Sequence, residues 1–242
     1  MVPAVGYAIF SLPSWRPDIL FPDGLWSLAV AVPLIIAGLL SPWLGAVADS
    51  TGQRRLMLGA ATLLCVMASA LMSRLGQGDI AAAMLLFIVA QLAYLLATAL
   101  YNSYLPRIST PGSTARISGL AWGLSYLGGI ACFLLCLPFI RSGIVAGNET
   151  HFANAFWVTA GFLLILGIAA ALGLPADETS DRKKETTHPY RRLWNTVSGW
   201  RQNRDIPKFL LAYYLINDAV VTVIYFTAIF LKTIFGLGMR KS

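Results

Sequence analysis

Charge is scarce in this sequence. Asp, Glu, Lys and Arg make up 12% of its 242 residues, about half the share of an ordinary soluble domain. That scarcity excludes a water-exposed globule. Cysteine is also rare. Cys65, Cys132 and Cys136 all lie inside apolar runs, with no metal-ligand spacing and no polar neighbours, so they read as small hydrophobes. The two histidines, His151 and His188, sit outside those runs and far from any cysteine. There is no Ser-His-Asp arrangement and no phosphate-binding glycine loop. No enzyme, no cofactor and no metal site is therefore expected. An intramembrane hydrolase or lipid transferase would need paired catalytic groups at matching depth, and the sequence offers one buried-type acid, Asp218. Nor is a signal peptide expected, because Met1 to Trp15 has no basic start and is broken by Pro3 and Pro13.

What the sequence does have is long apolar runs, in keeping with a 57% hydrophobic composition. About 20 apolar residues are enough to cross a bilayer as a helix. Six runs qualify: 25–47, 56–75, 80–104, 117–140, 152–174 and 209–234. The expected fold is all-α, a polytopic membrane helix bundle of about six spans. Residues 1–24 are mixed and too broken for a span, so they form an outer segment or the remnant of a missing helix. Residues 25–174 form a five-helix bundle part, 175–208 a linker, and 209–242 the first helix of a second bundle.

Charge then orients the chain, because short cytoplasmic loops collect Lys and Arg. With the loop at 49–55 placed inside, the inner side holds Arg54, Arg55, Arg107, Arg116, Arg182, Lys183, Lys184, Arg191, Arg192, Arg201, Arg204 and Lys208. The outer side holds Arg16, Arg74 and Arg141. Lys232, Arg240 and Lys241 would lie outside, which suggests that this is not a natural end. The net charge of +7 thus belongs to the membrane surface, and no nucleic-acid partner is expected. In the linker, Tyr190, Leu193, Trp194, Val197 and Trp200 recur at helical spacing among arginines. That pattern fits an amphipathic helix lying on the inner leaflet, or one packed on the span ends.

Between the first two spans lies Gly45-Ala-Val-Ala-Asp49-Ser-Thr-Gly52-Gln-Arg54-Arg55. Its glycines permit a tight turn. This Gly-x-x-x-Asp-x-x-Gly-x-Arg-Arg pattern resembles the gating-loop signature of the major facilitator superfamily. Three further segments narrow the resemblance. They are Tyr101-Asn102-Ser-Tyr-Leu105-Pro106, Arg116-Ile-Ser118-Gly119-x-x-Trp122-Gly123-x-x-Tyr126-x-Gly128-Gly129, and Phe209-Leu-Leu-Ala-Tyr-Tyr-Leu-Ile-Asn217-Asp218. Together they are similar to the vacuole-effluxer-like permeases, a branch that includes autophagy-related amino-acid exporters. The resemblance implies two six-helix bundles with the solute between them and alternating access by rocking. It covers family helices two to seven, so a fragment is expected, one that does not transport alone. In the family the loop Asp holds a closed state through the eleventh helix. That helix has no counterpart here, which leaves the role of Asp49 open.

Polar side chains inside spans are costly and tend to line a path or an interior. Gln91, Tyr94, Thr98 and Asn102 form one stripe on the third span. Tyr214, Asn217, Asp218, Thr222 and Tyr225 form another on the sixth. Asp218 is the one acid deep in an apolar run. It must take up a proton or meet a partner, which makes it the candidate for proton coupling or for binding a cationic group. Gly119, Gly123, Ser125 and Gly129 are small residues at four-residue steps and read as helix-packing positions. The expected function is a multi-pass permease for a small solute, amino acids among the candidates, sited in a plasma, inner or vacuolar membrane. The alternative is a membrane protein without transport of its own, which assembles with a complementary half or with itself.

Overall fold

The computed structural model describes residues 22–76, 79–110, 112–140, 149–175, 208, 211–220 and 222–223. The chain divides into two units, Met1–Glu185 and Thr186–Ser242.

In the first unit the helices are α1 (Pro22–Thr51), α2 (Arg54–Leu71, followed by a 3-10 turn to Arg74), α3 (Ile80–Asn102), the single turn α4 (Leu105–Ile108), α5 (Thr114–Ile140) and α6 (Glu149–Gly173). No strand occurs among the described residues. Five of these helical stretches are long and apolar enough to cross a membrane. They match the first five expected spans, with shifted ends. In the second unit, residues 208, 211–220 and 222–223 are helical. The rest of the expected sixth span, the linker helix and the segment 1–21 lie outside the described residues.

Local chemistry explains the shifts. Pro22 opens α1, at a position where its missing N–H has no helical partner to lose. At the other end α1 outruns its apolar stretch because short hydroxyls support its last turn. Ser50 Oγ and Thr51 Oγ1 donate to the Val47 carbonyl at 3.1 and 2.8 Å. Gly52 then takes φ 65°, and its N–H closes on the Ala48 carbonyl at 3.1 Å. A left-handed glycine after the last turn is a common helix stop. His151, expected in a loop, falls in the first turns of α6, where its ring centroid lies 5.2 Å from that of Phe139.

The core is small and divided. α3 packs against α1 and α2, α2 packs against α6, and α6 packs against α5. Trp26 of α1 and Phe87 of α3 are fully buried, with ring centroids 4.9 Å apart. One cluster, Ala48, Leu58, Leu100 and Tyr104, gathers the ends of α1 and α3 and the start of α2, with Leu174 against it. Cys132 and Cys136 of α5 pack on Ala155 of α6 at the opposite end. Large apolar side chains cover the outside, Ile35, Leu39, Ile165 and Leu172 among them. In water that surface would be a liability; in hydrocarbon it is the solvated face. The protein is a multi-pass integral membrane protein.

The cluster at Ala48 and Leu100 places the α1–α2 loop, the α3–α5 connection and Leu174 at one end of this unit. Arg54, Arg55, Arg107 and Arg116 belong to that end. It is the end that the charge pattern assigns to the cytoplasm.

Candidate functional site

α5 touches α6 through its C-terminal part, where Cys132 and Cys136 are buried. Its N-terminal part stands away from α3. Between them opens a cleft of about 320 Å³, within the usual range for small-molecule sites. α2 contributes Leu58, Thr62 and Cys65. α3 contributes Tyr94, Ala97, Thr98, Tyr101 and Asn102, and α4 adds Leu105 and Ile108. α5 contributes Ile117, Ser118, Ala121, Trp122 and Ser125, and α6 contributes Leu163, Leu166 and Gly167. Asn102 and Ile117 lie at the arginine-rich end, and Tyr94 and Ser125 lie about 12 Å deeper at 1.5 Å per residue.

The lining is aromatic, aliphatic and neutral-polar. Tyr94, Tyr101 and Trp122 are all exposed to the cleft or its surroundings. Three hydroxyls are already committed to their own helices. Thr62 Oγ1 donates to the Leu58 carbonyl at 2.8 Å, Thr98 Oγ1 to Tyr94 at 2.8 Å, and Ser125 Oγ to Ala121 at 2.9 Å. Such back-bonding leaves each oxygen as an acceptor only. None of the lining residues is Asp, Glu, Lys, Arg or His.

The sequence stripe on α3 meets the cleft in part. Tyr94, Thr98 and Asn102 line it. Gln91 is on the same face but one turn deeper, where it is buried at 7% exposure and does not reach the cleft. Ser125, expected at a packing position, lines the cleft instead. A Cβ added at Gly119, Gly123 or Gly129 would meet nothing within 4 Å, so these glycines face no close neighbour among the described residues. Sequence reasoning missed Thr62, Cys65 and Gly167. Their signal was weak, because each is a lone small residue in an apolar run. Gly167 is nevertheless the tightest glycine of the unit: a Cβ there would lie 2.7 Å from Thr62 Cγ2.

The loop motif has a local partner of its own. Arg54 forms an ion pair with Asp49 across the turn. The Arg54 side chain is only 12% exposed, whereas that of Asp49 is 60% exposed. Arg54 Nε is buried without a hydrogen bond, so the guanidinium depends on Asp49. Gly45 has open space around its Cβ position. Arg55 makes contacts of its own.

In the second unit, residues 211–220 are exposed throughout their described helix. Tyr214, Asn217, Asp218 and Thr222 all lie in described helical positions, and exposure singles out no face among them. Tyr225, a further member of the expected stripe, lies outside the described residues.

The chain matches the family described as "Vacuole effluxer Atg22 like" over residues 25–112 and 110–242. It is 24% identical over 205 residues to "Uncharacterized MFS-type transporter YxiO" of Bacillus subtilis, which is 81% of this chain and 47% of that protein. "Autophagy-related protein 22-1" of Neosartorya fischeri is 28% identical over 134 residues, or 50% of this chain and 21% of the fungal one. "Autophagy-related protein 22" of Botryotinia fuckeliana is 26% identical over the same length, covering 50% of this chain and 20% of its own. The chain thus spans about half the length of the bacterial relative and about a fifth of the fungal ones. No solved structure matches. The family match runs from the first span through residue 242, and the chain belongs to the vacuole effluxer, Atg22-like family.

Proposed function

We propose that this chain forms part of a permease that moves a small organic solute across a membrane by alternating access, and that it needs a complementary half to do so. The observation that carries this reading is the cleft between α3 and α5, lined by Tyr94, Thr98 and Asn102 of the polar stripe. A solute path needs polar groups inside a span and room beside them, and this face has both. The family description adds support for outward movement. Amino acids are the first solutes to test. The proposed gating element is the turn from Gly45 through Asp49 and Gly52 to Arg54 and Arg55. Asp218, with Tyr214, Asn217 and Thr222 around it, is the proposed proton-coupling group. The bilayer is the medium, and a complementary half or a second copy of the chain is the proposed protein partner. Support for that partner is the open face of α5, where Leu120, Leu124 and Leu127 are exposed beside Gly119 and Gly123.

Counterflow in proteoliposomes tests the reading. Vesicles containing an intact relative of the family with the same residues, loaded with mixed amino acids, should take up labelled solute in a saturable way, and vesicles containing this chain alone should not. Asn102→Ala and Asp218→Asn should each reduce that uptake while leaving the chain folded. Equal uptake by protein-free vesicles would overturn the reading.

A further inference from the structure

The cleft carries more information than its volume. In its deeper part the hydroxyls of Thr62, Thr98 and Ser125 already donate to backbone carbonyls, and Tyr94 and Trp122 form an aromatic wall. Asn102 and Tyr101 carry further donors near the mouth. Two cations adjoin the mouth along the chain. Arg107 lies between the lining residues Leu105 and Ile108, and Arg116 directly precedes the lining residue Ile117. Both are exposed, and neither has an ion pair among the described residues. The one described acid at this end, Asp49, is held by Arg54. Asp79 lies at the far end, where its carboxylate accepts from the Gly76 N–H at 3.0 Å.

Building on the reading of this cleft as the solute site, we infer that it takes an amphipathic organic carboxylate. The aromatic or aliphatic body lies between Tyr101 and Trp122, and the carboxylate lies at the mouth on the side of Arg107 and Arg116. A guanidinium holds a carboxylate through charge-assisted hydrogen bonds. Aromatic walls accept a flat apolar body by stacking. Among the described residues no carboxylate lines the cleft to receive an ammonium group. The charge at the mouth therefore discriminates against a cation on the same body.

Four probes that share one indole body and differ in their head group test this. They are indole-3-acetate, tryptophol, tryptophan and tryptamine, titrated against the full chain in phosphatidylcholine nanodiscs with binding read by calorimetry. Indole-3-acetate should bind tightest and tryptamine weakest. Raising salt to about 0.5 M should weaken the acid and leave the alcohol unchanged. Arg107→Gln with Arg116→Gln should lower the affinity for the acid about tenfold and leave tryptophol as in the wild type. Arg107→Lys with Arg116→Lys keeps the loop charge that orients the chain, and it should retain most of the acid binding. Equal affinity for all four heads, or a preference for tryptamine or tryptophan, overturns the inference while the cleft remains a solute site. Failure of every probe to bind overturns the solute reading of the cleft itself. Displacement of the acid by phosphatidylglycerol in the disc overturns the carboxylate and assigns the mouth to lipid phosphate.

Discussion

The seam between α2 and α6 and the gap between α3 and α5 are built from the same kinds of residue. Both contain glycine, threonine or serine, and leucine. In the seam, Gly167 lets α6 come so close that an added Cβ would sit 2.7 Å from Thr62 Cγ2. Thr62 has little freedom to yield, because it is β-branched and its hydroxyl is bonded to the Leu58 carbonyl. In the gap, Gly119, Gly123 and Gly129 meet nothing. Of the apolar stretch within Arg54–Arg74, 33% is buried, and of that within Thr114–Ile140, 11%. Small residues permit close approach without compelling it. A matching surface on the facing helix compels it, and α6 offers one to α2. α3 instead presents Tyr94 and Tyr101 to α5, side chains too large for two backbones to meet.

Five substitutions break or sharpen this contrast. The largest effect is expected from Gly167→Leu. Overpacking typically costs about 1–3 kcal/mol, and here the neighbour is stiff, so the upper part of that range is expected. Unfolding in a mixed-micelle titration measures it, and an unchanged midpoint would show that the seam is not tight. Asp49→Asn comes next, because it leaves the Arg54 guanidinium buried at 12% exposure without its carboxylate. A fully buried orphan charge costs about 3–5 kcal/mol. Asp49 is 60% exposed, so solvent screening brings the expected loss down to about 1–2 kcal/mol. A double-mutant cycle with Arg54→Gln isolates the pair; a zero coupling term would show that the two side chains act separately. Gly52→Ala should cost about 1–2 kcal/mol, since φ 65° is strained for a residue with a Cβ. Gly119→Ala and Gly123→Ala should shift stability least and in the favourable direction, by up to about 1 kcal/mol of helix propensity. A loss of more than that in the purified chain would reveal a partner surface against α5.

The spans were legible because length and apolarity fix them, and the five in the first unit lie where the runs predict. Their ends were less so. α1 reaches Thr51 through hydroxyl bonds to Val47, a contribution that hydropathy cannot register. The α3 stripe was legible as a face, since three- and four-residue steps keep side chains aligned. The part of it that lines the cleft was not, because a face says nothing of depth. Gln91 shares the azimuth but sits beyond the floor that α5 and α6 set. The α2 and α6 contributions were hidden for another reason. Thr62 and Gly167 are unremarkable within their own helices, and only the crossing of the two makes them neighbours. The Asp49–Arg54 pair was within reach of sequence reasoning, since five residues across a glycine turn bring side chains together.

The back-bonded hydroxyls of the cleft have a bearing on proton leakage. A row of hydroxyls conducts protons when each oxygen can release its hydrogen to the next. Thr62, Thr98 and Ser125 aim theirs at the carbonyls of Leu58, Tyr94 and Ala121, which hand nothing onward. These three hydroxyls therefore add no relay to the wall of the cleft. A proton that moves along it must use another group, such as the Tyr94 phenol, or travel with water or with the solute itself.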